Sequence, residues 1–217
     1  MAPFVGLDPA THAVWAVRLR NADGPAEVAD TALMDPAGEA SVLFFCDGVT
    51  VVAVDAPDGP SEGRHLDDET LPPKFRQARC AEVAPRSQGI SVPWTTRVAN
   101  PDPWMVTGFR LWQLLRYHQH RVVETFPYAV YHRLIGARPA RKGTPQGLRQ
   151  RLDALHPFVT PPPFVQAWGH DGVDALAAVC VAAACARGAG VEVRCRPSDP
   201  GQHDSSRISL LPSKPWS

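Results

Sequence analysis

Three short apolar runs in this chain each end in a carboxylate, and a proline follows within three residues. The acids are Asp8, Asp55 and Glu124, and the segments are Phe4–Pro9, Val51–Pro57 and Val122–Pro127. Each run has the composition of a buried strand, and a buried carboxylate without a partner is costly. A divalent cation would supply that partner, because Mg²⁺ and Mn²⁺ are bound mainly by carboxylate oxygens. The pattern therefore predicts a metal site assembled at strand ends.

A fourth acidic position lies at the start of a later, alanine-rich helix predicted over Gly172–Arg187. Asp171 and Asp174 are three residues apart there, so both can face the same side of the helix. The same pair is also an ordinary helix start, with Asp171 as the cap and Asp174 in the first turn. The sequence leaves both interpretations open.

The chemistry that these acids permit is phosphodiester hydrolysis. Two ions about 3.5–4 Å apart can bind the attacking and the leaving oxygen of such a displacement. Asp8 would bridge the ions, Asp55 would bind one, and Asp174 or Asp171 would bind the other. Glu124 is either a further ligand or a base outside the coordination shell. Asp8 and Asp55 could instead each begin a turn before the proline that follows.

These residues become the predicted site. The candidate catalytic residues are Asp8, Asp55, Glu124 and Asp174. The candidate metal ligands are Asp8, Asp55, Asp171 and Asp174, and the expected cofactor is Mg²⁺ or Mn²⁺.

The elements that must position the acids alternate between strand and helix. Strands are predicted at 3–8, 12–19, 27–34, 50–55 and 121–124, and helices at 37–46, 107–118, 127–137 and 145–156. A meander followed by alternating helices and strands predicts an α/β fold with a mixed five-stranded sheet flanked by helices. A right-handed crossover would make the first and fourth strands parallel neighbours, so that Asp8 and Asp55 emerge at the same edge.

The chain length of 217 residues fits one domain, predicted over residues 1–196. A proline-rich excursion at about 56–105, which we call the proline-rich segment, interrupts it, and one helix is expected within the segment near Pro73–Ala84. Residues 197–217 are predicted to form a polar C-terminal tail. Long loops in compact domains are often functional.

Net charge, cysteine content and apolar runs limit the classes to which this protein can belong. The formal net charge is zero, which does not indicate a general nucleic-acid binder. The cysteine count is five and no CxxC pair occurs, so neither a disulfide framework nor a zinc ribbon is indicated, and a reducing, cytoplasmic setting is expected. The apolar run Val173–Ala186 is too short to cross a bilayer, so no membrane association is expected.

Several motifs together resemble the DUF429 family, predicted nucleases of the ribonuclease H-like fold. They occur in order at 6–11, 51–57, 79–90, 122–130, 141–147 and 170–179. The last motif is also similar to the helix of Holliday-junction resolvases, where two aspartates precede an alanine-rich run. The resemblance implies a ribonuclease H-like fold and a metal site at Asp8, Asp55 and Asp171 or Asp174. It also implies that Glu124 faces the same cleft.

Candidate substrate contacts come from a locally basic stretch. Residues 110–151 contain nine Lys or Arg and one acid, Glu124. Such a stretch suits a phosphate backbone or a nucleotide, although a solvated helical surface explains it equally well. Arg79 and Lys142 are the predicted phosphate contacts, because they lie in the family-like motifs.

A few other side chains have both a functional and an ordinary interpretation. Trp94, Trp104 and Trp112 could stack on a base, with packing as the default. His170 could orient a ligand, and Cys80 could be a thiol only if a histidine lies beside it.

Two functions from different classes remain open. The first is a metal-dependent phosphodiester hydrolase acting on nucleic acid or a nucleotide. The second is a binding or regulatory module that keeps the ribonuclease H-like fold without the chemistry. A sugar-kinase or actin-like relative is disfavoured, because proline rather than a glycine-rich loop follows Asp8. The oligomeric state is open, with a homodimer as one option.

Overall fold

The computed structural model of this protein describes residues 3–20, 26–92, 94–97, 99–194 and 207–215. Part of the predicted tail lies outside the described residues, and so do residues 93 and 98 of the proline-rich segment. The described residues contain eight strands: β1 Phe4–Pro9, β2 Val14–Arg20, β3 Ala26–Met34, β4 Val51–Val54, β5 Val122–Glu124, β6 Val159–Thr160, β7 Val191–Arg194 and β8 Arg207–Leu210.

The central sheet has the order β5-β4-β1-β2-β3-β6. β1, β2 and β3 form the predicted antiparallel meander, while β4 pairs parallel with β1 and β5 pairs parallel with β4. A meander with two parallel strands added beyond β1 is the ribonuclease H-like topology, which confirms the predicted fold class. The sheet has six strands rather than five, because the two-residue β6 adds to the outer edge of β3.

β7 and β8 form a separate hairpin that the sequence patterns did not indicate. β8 comes from the region predicted as a polar tail, yet Ile208, Leu210 and Leu211 are buried. A parallel bridge between Thr125 and Ser209 joins this hairpin to the end of β5. These apolar residues of the C-terminal region are therefore part of the core.

Seven α-helices and one 3-10 turn are present among the described residues. The helices are α1 Glu39–Cys46, α2 Pro73–Arg76, α3 Cys80–Ser87, α4 Pro103–Tyr117, α5 Pro127–Ile135, α6 Pro145–Leu155 and α7 Gly169–Ala186. The 3-10 turn, Val165–Trp168, leads directly into α7. The single helix predicted in the proline-rich segment is two short helices, because Gln77 and Ala78 interrupt it.

The start of α7 differs from the prediction. The helix begins at Gly169, and Trp168 takes the cap position without a side-chain cap hydrogen bond. Asp171 therefore lies in the first turn and is not the cap. The 3-10 turn and α7 together make a 22-residue stretch, Val165–Ala186, that is apolar and long enough to cross a membrane by length and composition. Most of it is buried inside the protein, so this stretch has the surroundings of a core helix.

The sheet separates two hydrophobic clusters. On one face, β1 residues Val5 and Leu7 pack with residues of α1 and α4, including Leu111 and Leu115. On the other face, α7 lies across β1, β2 and β4 and is buried almost throughout.

Gly6 makes the close contact between β1 and α7 possible. A Cβ at this position would lie 2.2 Å from the backbone N of Val179 and 2.3 Å from the backbone O of Ala175. The alanine-rich surface of α7 meets β1 without a side chain between the two backbones. This contact fixes the height and position of α7 above the sheet.

We expect Gly6→Ala to destabilise the fold by roughly 1–3 kcal/mol or more, because the added methyl group overlaps helix backbone that cannot rotate away. Urea denaturation measures the loss. Gly59→Ala is the matched control, since a Cβ there meets nothing within 4 Å. Equal stability of the two variants would show that α7 is not held against β1 as described.

Candidate metal centre

Strand register brings Asp8 and Asp55 side by side. Leu7 pairs with Val54, and the backbone N–H of Asp55 donates to the carbonyl of Leu7 at 2.8 Å. Side chains alternate across a strand, so Asp8 shares a face with Gly6, and Asp55 shares that face with Ala53. Both aspartates therefore leave the carboxyl ends of neighbouring parallel strands on the side covered by α7.

α7 supplies the third carboxylate. Gly6 lies against Ala175 and Val179 of the helix. The distance along β1 from Gly6 to Asp8 is about the length of one helical turn, and on α7 that turn leads back toward the N-terminus of the helix. This geometry places Asp174 beside Asp8. One carboxylate oxygen from each of Asp8, Asp55 and Asp174 lies within 4.8 Å of the other two, and we call these three residues the carboxylate cluster.

Burial makes this cluster electrostatically costly without a cation. Asp8 is 8% exposed and Asp174 is 5% exposed. Burial, followed by the charges of Asp55 and Asp174, raises the pKa of Asp8 well above its ordinary value. Burial and the charge of Asp174 raise the pKa of Asp55 in the same way. Each shift means that the charged form is disfavoured in the folded protein.

The cluster fits a hard divalent cation. Asp8 Oδ2 is buried and has no hydrogen-bond partner among the described residues. A buried, unpaired carboxylate oxygen is rare in folded proteins unless an ion or water binds it. Three carboxylates from distant parts of the chain form the oxygen-rich set that Mg²⁺ or Mn²⁺ takes, rather than the Cys and His ligands of structural zinc sites.

Asp171 does not join the cluster. Its side chain is half exposed and its Oδ1 lies 3.1 Å from Lys142 Nζ. Lys142 Nζ also lies 2.8 Å from Asp174 Oδ2, so the ammonium group stands at the edge of the cluster. Burial alone would lower the pKa of Lys142, but Asp174 and Asp8 outweigh it and raise the pKa above its ordinary value. Lys142 is therefore a cation beside the cluster, as its predicted role as a phosphate contact requires.

The loop that carries Lys142 is held on both sides. Arg151 is buried and donates to the carbonyls of Ala140 and Gly147 at 3.0 and 2.9 Å. The N–H of Gly143 donates to His170 Nε2 at 2.7 Å. Burial, followed by the charge of Arg151, lowers the pKa of His170, which favours the neutral ring that this contact needs. His170 thus supports the lysine loop from α7.

Glu124 lies outside the cluster because of strand register. It pairs with Val54, the residue before Asp55, so its side chain points to the opposite face of the sheet from Asp55. Arg79 holds it there, with Nη1 and Nη2 donating to the two carboxylate oxygens at 2.9 and 2.5 Å. Burial raises the pKa of Glu124 to about 7 against the attraction of Arg79. Neither a ligand nor a base role at the cluster follows from this position.

Arg79 also differs from its predicted role as a phosphate contact. It is 6% exposed, and its guanidinium donates to Asp58 and Glu82 as well as to Glu124. Burial alone would lower the pKa of Arg79, but these three acids raise it well above the ordinary value. Its donors are therefore engaged in fastening the proline-rich segment to the end of β5.

The cluster lies in a pocket of about 890 Å³. The pocket lining also includes Lys142 and two sets of side chains, aromatic (Trp94, Trp104, Phe126, Tyr128) and basic (Arg138, Arg141). Glu124 and Arg79 contribute to its wall, so Glu124 does face the same cleft. Trp112 is instead a core residue whose indole N–H donates to the carbonyl of Ala56.

Sequence patterns missed two residues near the site. Asp58 receives hydrogen bonds from both Arg79 and Arg116, at 2.7 and 3.0 Å, and no strand-end pattern marks it. The Tyr131 hydroxyl is buried and donates to the carbonyl of Val173, next to Asp174. In the sequence, only the position of Tyr131 on the inner face of α5 could have indicated that it lies near the site.

Cys80 does have a histidine beside it, since His65 Nε2 lies 3.1 Å from its Sγ, but neither residue lines the pocket.

We expect Asp8→Asn to raise the melting temperature of the metal-free protein by about 2–4 °C, or about 1 kcal/mol. The neutral amide removes one of three crowded negative charges. Thermal melts in EDTA measure the shift, with Asp153→Asn on exposed α6 surface as the control. A lower melting temperature for Asp8→Asn would contradict the repulsion inferred from the cluster.

Arg79→Met should destabilise the protein by about 3–5 kcal/mol, because it leaves buried carboxylates unpaired. Chemical denaturation measures the loss, and Arg149→Met at an exposed position of α6 is the control. Metal binding by the folded fraction should be retained, since Arg79 does not contact the carboxylate cluster. A stable variant that has lost metal binding would assign Arg79 to the metal site instead.

Comparisons with solved structures return two of RuvC from Thermus thermophilus. The first shares 14% identity, covers 86% of this chain and 96% of that chain, and has a TM-score of 0.46. The second, T. thermophilus RuvC in complex with Holliday junction substrate, shares 16% identity, covers 87% of this chain and 96% of that one, and has the same TM-score. Nothing about activity follows from likenesses of this strength. A comparison with curated proteins finds no match.

A family model described as "Protein of unknown function (DUF429)" matches residues 6–201. The matched range contains all three members of the carboxylate cluster and Lys142. The chain belongs to the DUF429 family.

Proposed function

We propose that this protein is a divalent-metal-dependent phosphodiester hydrolase that acts on nucleic acid or a nucleotide. The observation that carries the proposal is the carboxylate cluster: acids from β1, the end of β4 and α7 each bring one oxygen within 4.8 Å of the other two, and one buried oxygen is unpaired. The cluster opens into a pocket with cationic side chains, which suits a phosphate-bearing substrate.

Asp8, Asp55 and Asp174 would hold Mg²⁺ or Mn²⁺. When bound, the cation supplies Lewis acidity toward a phosphoryl oxygen. Asp8 is the central ligand in this proposal, because its strand β1 pairs with β4, which leads to Asp55, and contacts α7, which carries Asp174. Asp171 remains a candidate outer ligand that reaches the cluster only through Lys142.

Lys142 would contact the phosphate. Its ammonium group neutralises Asp174 and Asp171 in the metal-free protein, and a cation bound by the cluster would compete with it for Asp174. Without that ion pair, Lys142 would be a point charge at the pocket wall for a phosphate oxygen. The Arg151 and His170 contacts hold the loop that carries the lysine.

A second candidate function is a binding module without catalysis. The observation that favours it is Glu124, the predicted fourth acid, which lines the same pocket but is paired with Arg79 and is not a member of the carboxylate cluster. A three-carboxylate site that binds a cation only to present it to a phosphate would satisfy the same geometry.

We expect Mn²⁺-dependent cleavage by the wild type and a loss of at least about 100-fold with Asp8→Asn, because the central ligand is lost. The assay uses a single strand, a four-way junction and an RNA–DNA hybrid, and calorimetry measures Mn²⁺ binding to both proteins. Asp153→Asn is the control. Mn²⁺ binding that depends on Asp8 without cleavage of any substrate would favour the binding module. Absence of Asp8-dependent binding would reject both functions.

A further inference from the structure

The pocket at the carboxylate cluster is lined by three kinds of side chain: the three carboxylates, an aromatic set that we call the aromatic wall, and a basic set that we call the basic wall. Its volume of about 890 Å³ lies within the range of pockets that enclose a small organic ligand. The lining and the volume together determine which kind of phosphodiester the pocket can accept.

Several contacts attach the aromatic wall to the rest of the protein. Phe126 and Tyr128 have ring centroids 5.9 Å apart, and Phe126 packs against a small cluster that contains Val92. The segment after Val92 carries Trp94. Lys74 donates to the carbonyl of Val92 at 2.7 Å, and the N–H of Thr96 donates to Glu82 at 2.8 Å. These two hydrogen bonds hold Val92 and Thr96, which lie on either side of Trp94 in the sequence.

Trp94 is the informative member of this wall, because it is 59% exposed while lining a pocket. Aromatic side chains that line a pocket commonly contact its ligand, and Trp94 combines that position with an indole that is not covered by packing. An indole ring can stack on a planar group. The faces of bases in a duplex are covered by their neighbours, so only an unpaired base offers one.

The basic wall is short. Arg138, Arg141 and Lys142 fall within five residues, and all three are exposed. Three cations can neutralise a few phosphates of one strand. The continuous binding of a duplex instead needs a long basic surface, and the formal net charge of this chain is zero.

The burial of the carboxylate cluster also favours a single strand over a duplex. Asp8 and Asp174 are 8% and 5% exposed, so a phosphodiester must enter the pocket to reach a cation there. A single strand can bend into a pocket with its base turned aside, whereas a duplex carries its second strand with it. Enzymes that need access to one nucleotide commonly take it out of the stack.

We infer that the substrate of this site is an unpaired nucleotide unit, with its base against Trp94 and its phosphate between the carboxylate cluster and the 138–142 loop. This inference rests on the proposed function and makes it more specific. The unit is either part of a single strand or a free small nucleotide, since the recognising chemistry is the same.

The test compares four Mn²⁺-dependent substrates with the full-length protein: a 12-nucleotide single strand, its blunt duplex, the same duplex with a three-nucleotide overhang, and a dinucleotide. We expect the single strand and the overhang to be cleaved at least tenfold faster than the blunt duplex. Cleavage of the dinucleotide at the rate of the strand identifies a small nucleotide as the substrate, and cleavage of the strand alone identifies a polymer. Equal or faster cleavage of the blunt duplex overturns the inference and leaves the proposed function intact.

Binding supplies a readout that does not depend on cleavage. Fluorescence anisotropy in Ca²⁺ should show Trp94→Ala binding the labelled single strand about 5- to 150-fold more weakly than the wild type does, the range for one base–aromatic stack. The control is Tyr117→Ala, which removes an exposed aromatic side chain that does not line the pocket. If nothing is cleaved, the proposed hydrolase fails, and this comparison still decides the inference. Unchanged single-strand binding by Trp94→Ala, or duplex binding as tight as single-strand binding, rejects it.

Discussion

The repulsion within the carboxylate cluster, which Lys142 offsets only at Asp174, is the constraint that organises this molecule. Asp8, Asp55 and Asp174 would separate if their backbones were free to move, and none of them is drawn in by an arginine. What holds them is backbone contact: β1 and β4 are hydrogen-bonded in register, and α7 meets β1 directly at Gly6. The stability of the apolar core therefore offsets the electrostatic cost of the cluster, as is common at sites that store strain for function.

The small residues of α7 let the helix lie close enough to the sheet for Asp174 to join the cluster. The helix lies on β1, β2 and β4, and its buried surface is largely alanine, valine and glycine. A helix with larger residues would sit higher above the sheet, and the Asp174 oxygens would move away from those of Asp8. The apolar composition that makes the segment resemble a membrane span thus has a different physical reason, which is close approach to a sheet.

The sequence predicted the members of the carboxylate cluster where the pairing of the strands was simple to infer. Asp8 and Asp55 follow strands that pair directly, so an acid after each strand could be placed on the same edge. Asp174 was predicted together with Asp171, and the rotation of α7 about its axis decides which of the two faces the sheet. The contact of Ala175 and Val179 with Gly6 sets that rotation, and no local pattern in the sequence reveals this contact.

Glu124 shows the limit of the strand-end pattern. Its run of residues resembles those of Asp8 and Asp55, but a shift of one position in pairing reverses the face on which a side chain lies. Thr125, and not Glu124, is the residue level with Asp55, and its hydroxyl donates to the carbonyl of Ser209 on β8. The register of β5 is set by its pairing with β4, and the proline-rich segment and α4 separate these two strands in the sequence, so no local pattern could predict it.

The position of Glu124 explains how the proline-rich segment is attached to the sheet. Arg79 at the start of α3 binds Glu124 at the end of β5, and Asp58 joins the same guanidinium from the beginning of the segment. The network ties the start and the middle of the proline-rich segment to the end of β5 without using the oxygens of the carboxylate cluster. The cluster and the aromatic wall are therefore supported by separate interactions. Substitutions in the wall can change what enters the pocket while the three carboxylates stay where β1, β4 and α7 place them.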